Sequence, residues 1–161
     1  PPSPNLAFDA GNFTVEFWVN GPSNQSTITS GDYPNLLNIG YYSTPDLKIW
    51  TQGGTTININ SAGGSLTGTL TVLDNTWHHV AVSCVSGVVS LYIDGVLDSS
   101  FTRSTPLINA YSYGTAIGSN GGPYGPDSGR FQGYIDDLRI TKGYARYTGN
   151  FTPSGKLPTS G

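Results

Sequence analysis

Apolar and polar residues alternate from Val80 to Leu97 in a way that predicts two consecutive β-hairpins. Val80, Val82 and Cys84 share one face of a strand, and Val89, Leu91 and Ile93 share one face of its partner. Ser86-Gly87 and Asp94-Gly95 are the two-residue turn signals between these runs. Phe13 to Val19 alternates as cleanly, with Phe13, Val15, Phe17 and Val19 on one side and Thr14, Glu16 and Trp18 on the other. Leu36 to Tyr42 and Leu47 to Gln52 read as a hairpin turning at Ser43-Thr44-Pro45-Asp46, and Thr55 to Asn60 and Leu66 to Val72 continue the meander. Leu97 to Arg103, Ala116 to Gly118 and Arg130 to Thr141 are the remaining strand signals. No stretch keeps a helical period beyond one turn, so the pattern predicts an all-β, antiparallel two-sheet sandwich.

Two segments fall outside this alternation. Ser104 to Gly129 contains N-G-G-P-Y-G-P-D-S-G, which no regular element accommodates, and is expected to be an exposed loop. Residues 142–161 read as an irregular tail. The 161 residues suit one domain, and no internal repeat is present.

Three linked runs carry a resemblance: F-T-V-E-F-W, W-H-H-V-A-V followed by L-Y-I-D-G-V, and G-Y-I-D-D-L-R-I. They resemble laminin G-like and pentraxin-like domains of the concanavalin A-like lectin/glucanase superfamily, and the resemblance implies a jelly roll. The run I-D-D-L-R-I-T-K-G-Y-A-R-Y is similar to domains of phage tail-fibre and other virion structural proteins, and of bacterial surface proteins. A further edge strand commonly precedes this point in the family. With no Met and a Pro-Pro-Ser-Pro opening, the chain is expected to be a piece of a longer polypeptide lacking that strand.

Composition narrows the function classes. Charged residues make up 11%, well under the usual quarter, with a net charge of −3 and seven Lys and Arg scattered singly. No basic stripe exists to collect phosphates, so nucleic acid is excluded as a partner. No apolar run reaches the ~18 residues of a membrane span, so membrane insertion is not expected. The single cysteine, Cys84, falls on an inward face and reads as a buried thiol. The neutral, hydroxyl-rich surface suits an extracellular or virion setting.

Chemistry-bearing residues are few. Glycosidases need two carboxylates flanking the sugar bond. Glu16 is the one Glu in the chain, and Asp136 and Asp137, as strand neighbours, are expected on opposite faces. His78 and His79 diverge for the same reason, which leaves a hydrogen-bonded pair at a strand start rather than a metal site. The chain therefore reads as a non-enzyme. Calcium is the cofactor that the resemblance implies, with Asp9, Asp136 and Asp137 as its carboxylates; the competing reading ties those aspartates to backbone amides instead. Sugar binding calls for exposed aromatic faces flanked by polar groups. Trp50, Tyr111, Tyr113 and Tyr124, with Asn120 and Asp127 nearby, are the expected carbohydrate or partner-binding residues. The expected function is adhesion to a glycan or protein on a host or cell surface. Two readings stand beside it: a structural fibre or capsid-decoration subunit bound to other subunits, and an accessory domain of a glycan-degrading enzyme.

Overall fold

The computed structural model describes residues 8, 10–25, 33–41, 44–52, 54–61, 63–104, 114–120 and 129–155. Their ten strands form two five-stranded antiparallel sheets, and no helix occurs among them. Sheet A contains β1 (Phe13–Asn20), β6 (His78–Val85), β7 (Val88–Ile93), β8 (Val96–Thr102) and β10 (Tyr134–Lys142), in the order β10-β1-β6-β7-β8. Sheet B contains β2 (Asn35–Tyr41), β3 (Thr44–Trp50), β4 (Asn58–Ser61), β5 (Gly64–Thr67) and β9 (Thr115–Ile117), in the order β5-β4-β3-β2-β9.

The inward residues of β1, β6 and β7 form the core as their alternation dictates. Phe13, Val15, Phe17, Val19, Val80, Val82, Cys84, Val89, Leu91 and Ile93 are all buried and meet Leu37, Ile39, Leu47, Ile49, Ile57 and Ile59 of sheet B. Burial pushes the Cys84 thiol pKa up and keeps the thiol neutral. Both two-residue turns form where expected, with positive φ at Ser86, Gly87, Asp94 and Gly95, the conformation whose twist matches the flanking strands. The sandwich closes on the side where β5 meets β8, because Gly64 lets the Phe101 ring press against its backbone. On the opposite side Ile117, Ile135 and Ile140 pair with core positions, yet Ile117 is 56% exposed and the other two are half-buried.

Several boundaries differ from the sequence pattern, each for a local reason. Thr44, Pro45 and Asp46 belong to β3 rather than to a turn; the ladder shifts register at Gly40, opposite Pro45, which has no N–H to give. β4 starts at Asn58 because the Thr55 carbonyl is taken by Val72 and Leu73 N–H. β5 ends at Thr67 because the Asp98 carboxylate captures the N–H groups of Thr69 and Leu70. β10 starts at Tyr134, not Arg130, and strict alternation fails within it. The ladder slips between the Glu16–Arg139 and Trp18–Asp136 pairs, and Asp137 takes φ 51°. This β-bulge asks for a residue that tolerates the left-handed region, where Asp is among the better non-glycine choices.

The largest departure concerns the tail. Residues 143–155 form no strand, yet they cross the outer face of sheet A as an ordered strap. Gly143 N–H donates to the Asn12 carbonyl, Arg146 N–H to Thr14 Oγ1, Ser83 Oγ to the Tyr147 carbonyl, and Phe151 N–H to the Gly95 carbonyl. The strap explains why Thr14 and Glu16, the outward side chains of β1, are buried. Tyr147 donates its hydroxyl to Glu16 Oε2, Arg146 Nε lies 3.0 Å from Oε1, and Arg139 and His79 each approach the carboxylate to 3.4 Å. Burial works to raise the Glu16 pKa, but hydrogen bonds from His79 and Tyr147 and the charges of Arg146 and Arg139 outweigh it and hold the carboxyl below its ordinary range. Phe151 stacks on Tyr147 with ring centroids 3.5 Å apart, and a Cβ on Gly95 would overlap the Phe151 carbonyl.

Two substitutions test the strap. Tyr147→Phe leaves Glu16 short of a donor and should cost about 1–3 kcal/mol. Gly95→Ala combines backbone strain with that overlap and should cost at least ~2 kcal/mol. Both are read from urea denaturation midpoints.

Candidate functional site

The outer face of sheet B gathers the described binding candidates. Trp50 ends β3, opposite Asn35 on β2 and Asn58 on β4. The Trp50 ring is half-buried, tilts against Tyr33 at 4.9 Å, and has Lys48 Nζ 5.3 Å from its centroid. Gln52 Nε2 donates to the Tyr33 hydroxyl at 3.2 Å, which fixes that ring's polar edge. The result is a tilted aromatic pair with a polar fringe.

Asn35 ties this pair to the neighbouring loop. Its Nδ2 donates to Asn120 Oδ1 and to the Tyr33 carbonyl, both at 2.6 Å, while its N–H donates to the Gly129 carbonyl at 2.9 Å. Asn38 Nδ2 donates to the Asn120 carbonyl at 2.6 Å. Gly129 adopts φ 60° and leaves no room for a Cβ against Asn35 and Asn120. Asn120 and Gly129 bracket residues 121–128, so one buried amide cluster holds both stems of that loop beside Trp50. Asn35 Oδ1, Asn38 Oδ1 and Trp50 Nε1 are buried and have no hydrogen-bond partner.

Trp50 and Asn120 are thus brought to the two sides of Asn35. Tyr111, Tyr113, Tyr124 and Asp127 lie outside the described residues. The short strand expected at Ala116 to Gly118 within the 104–129 segment is present as β9 (Thr115–Ile117). Gly114, which follows Tyr113, accepts from Gly40 N–H, whereas Asn120 sits at Asn35. Asn35 and Gly40 are five residues apart on β2, or about 17 Å at strand rise. Gly114 and Asn120 therefore lie at opposite ends of β2.

Asp136 and Asp137 sit elsewhere, in the β10 bulge of sheet A. Asp136 Oδ1 accepts from Asp137 N–H at 2.9 Å, and Asp136 pairs with Trp18 near the far end of β1. Asp9 lies outside the described residues, but its neighbour Ala10 gives its carbonyl to Arg103 Nη2 near the Phe13 end. Phe13 and Trp18 are five residues apart, again about 17 Å. Among the described residues no three His, Cys, Asp or Glu side chains converge as a metal would require.

The histidines diverge and are both engaged. His78 Nδ1 meets Asp94 Oδ2 at 2.6 Å and Nε2 meets Asp74 Oδ1 at 3.2 Å, while His79 faces Glu16 and the strap. Sequence reasoning missed Tyr33, Asn35 and Asn38 as site residues. The signal that could have found them is that Asn35 and Asn38, two amides, stand inside an otherwise apolar strand.

Two five-stranded antiparallel sheets packed face to face define the class as a lectin-like β-sandwich. The chain belongs to the concanavalin A-like lectin/glucanases superfamily, whose laminin G-type family model matches residues 2–145. Its fold is similar to domain 4 of AbnA, an extracellular GH43 arabinanase from Geobacillus stearothermophilus solved with arabinotriose. That match has 24% identity and a TM-score of 0.57, and covers 87% of this chain and 64% of that one. It is also similar to domains LG4-5 of the mouse laminin α1 chain, at 11% identity and TM-score 0.64, covering 86% and 37%. The binding domain of botulinum neurotoxin serotype G matches at 16% identity and TM-score 0.55, covering 89% and 36%. The chain thus spans less than two thirds of each of these proteins, and at such identities the likeness concerns the fold. No curated protein matches the chain.

Two outcomes follow from this geometry. Burial alone would lower the His78 pKa, but Asp94 and then Asp74 outweigh it and raise it above the ordinary 6.5. Its contribution to stability is therefore complete below that value and is lost as pH rises through the folded-state pKa. The urea midpoint should be higher at about pH 6 than at about pH 8.5, and His78→Gln should shrink that difference. Asn35→Ala should speed amide exchange at Asn120 and Gly129 while leaving β6 and β7 protected, as measured by hydrogen exchange.

Proposed function

We propose that the chain is a non-enzymatic adhesion and glycan-binding module, displayed on a virion fibre or cell-surface appendage and directed at a glycan or protein on a host or cell surface. The observation that carries this reading is the Trp50–Tyr33 pair, held at the end of β3 beside loop stems pinned by Asn35. Aromatic faces take the apolar side of a sugar ring, and rigidly anchored loop stems are where binding groups are usually carried. The wording of the β10 and strap region supports virion or surface display.

A hydrolytic role finds no support in this geometry. Glu16 is the one Glu in the chain, and its carboxylate is buried beneath the strap on the opposite sheet from Trp50. Glycoside hydrolysis needs a second carboxylate across an open cleft. The arabinanase domain among the similar structures favours one further reading, an accessory domain of a glycan-degrading enzyme. On that reading this module would hold the polysaccharide while another domain cut it.

Trp50→Ala tests the proposal. It should weaken retention on polysaccharide-containing affinity gels at least tenfold, about 1.4 kcal/mol, with the far-UV circular dichroism unchanged. Retention equal to that of the parent protein on every polysaccharide the parent binds would show that the site lies elsewhere.

A further inference from the structure

Resting on the glycan-binding reading above, we infer that the Trp50 site takes a neutral, hydroxyl-rich sugar and discriminates against acidic ones. The inference starts from the unpaired groups. Five buried side-chain atoms among the described residues lack a hydrogen-bond partner: Glu16 Oε1, which has Arg146 Nε 3.0 Å away, and His79 Nδ1 lie beneath the strap, and the other three meet at this end of sheet B, two acceptors (the amide oxygens of Asn35 and Asn38) and one donor (the Trp50 indole N–H). Asn35 is fully buried and Asn38 nearly so. Buried polar groups in native proteins nearly always have partners, so each of these three marks a hydrogen bond still to be made.

A sugar hydroxyl both donates and accepts, so it serves either kind of group, directly or through one ordered water. A carboxylate or sulfate only accepts. Near two amide oxygens it finds repulsion where a hydroxyl finds a partner. Acid recognition usually adds a guanidinium or ammonium held ready for the anion. Among the described residues, the cations at this end of sheet B, Lys48 and Arg130, each have an interaction of their own. Lys48 lies against the Trp50 ring, Arg130 is bridged through its backbone to Asn35, and each carries a further interaction. The remaining fringe, Gln52, Asn58 and Thr67, is uncharged.

Nuclear magnetic resonance of the 15N-labelled protein tests this directly, because the unpaired indole N–H is itself the reporter. The Trp50 indole signal is assigned by its loss in Trp50→Phe, or by through-bond assignment should that variant not fold. It is then followed against neutral trisaccharides (arabinotriose, cellotriose, mannotriose and triacetylchitotriose) and acidic ones (trigalacturonate and triguluronate). The expected result is that at least one neutral sugar moves the Trp50 signal and neither acid does. The affinity for that sugar should change by less than about threefold in about 0.5 M salt or in Lys48→Gln, since no ion pair is involved. Movement with the acids alone, or a neutral sugar lost with salt, would overturn the neutral class while leaving the glycan site standing. Movement confined to the Trp18 or Trp77 indole would overturn the placement at Trp50. No movement with any sugar would overturn the inference together with the glycan reading on which it rests.

Discussion

The buried carboxylate of Glu16 governs the architecture of sheet A. Glu16 stands in the middle of β1 between β6 and β10, and its outward side would ordinarily face water. Covering it requires ionic and hydrogen-bonding partners, since an uncompensated buried charge costs several kcal/mol. The partners come from three places: His79 on β6, Arg139 on β10, and Arg146 with Tyr147 on the strap. The strap cannot supply its two without lying flat on the sheet. Once it does, Phe151 is delivered onto Tyr147 and against the tight turn at Gly95, so the second hairpin and the strap become one unit. Sheet A is thereby closed over much of its outer face, and the described binding candidates sit at one end of sheet B.

Sheet B is organised by amides instead of charges. Asn35 and Asn38 occupy outward positions on β2, and their NH2 groups hold Asn120, while Asn35 also receives Gly129. Amides suit this task because each offers donors and an acceptor in one small plane and carries no desolvated charge. The same cluster fixes Tyr33 through its carbonyl, and so sets the ring against which Trp50 tilts.

Much of this was legible in the residues. The period-two runs of β1, β6 and β7 gave the core list, and the Ser86-Gly87 and Asp94-Gly95 turns formed because those residues accept positive φ. Strand ends were less legible because they depend on distant side chains. Nothing in Leu66 to Val72 announces that Asp98, some thirty positions later, will capture Thr69 and Leu70. The sequence pattern shows residues 142–161 only as an irregular tail; the strap that 143–155 form is held by Glu16, a long-range demand that local pattern does not express. The aspartates of I-D-D illustrate the converse. Their spacing on a regular strand implied opposite faces, whereas the second Asp bends the strand by adopting a left-handed conformation.

The two polar clusters differ in a way that bears on function. Around Glu16 cationic and hydroxyl partners on three sides surround one carboxylate, and the cluster serves the fold. Around Asn35 the amide NH2 groups of Asn35 and Asn38 are used, while their two oxygens and the Trp50 indole N–H are not. A protein that needed only to pin its loop stems could have placed apolar side chains there, at little cost, since replacing both partners of a hydrogen bond by apolar groups is often nearly neutral. On the proposed reading, amides retained beside an aromatic pair, with buried acceptors left over, hold polar capacity next to the site that a sugar would occupy. The superfamily's sandwich permits many functions. What sets the two sheets apart on this copy of the fold is the cover: the strap lies over the Glu16 cluster, whereas the Trp50–Tyr33 pair stands half-buried beside the Asn35 cluster.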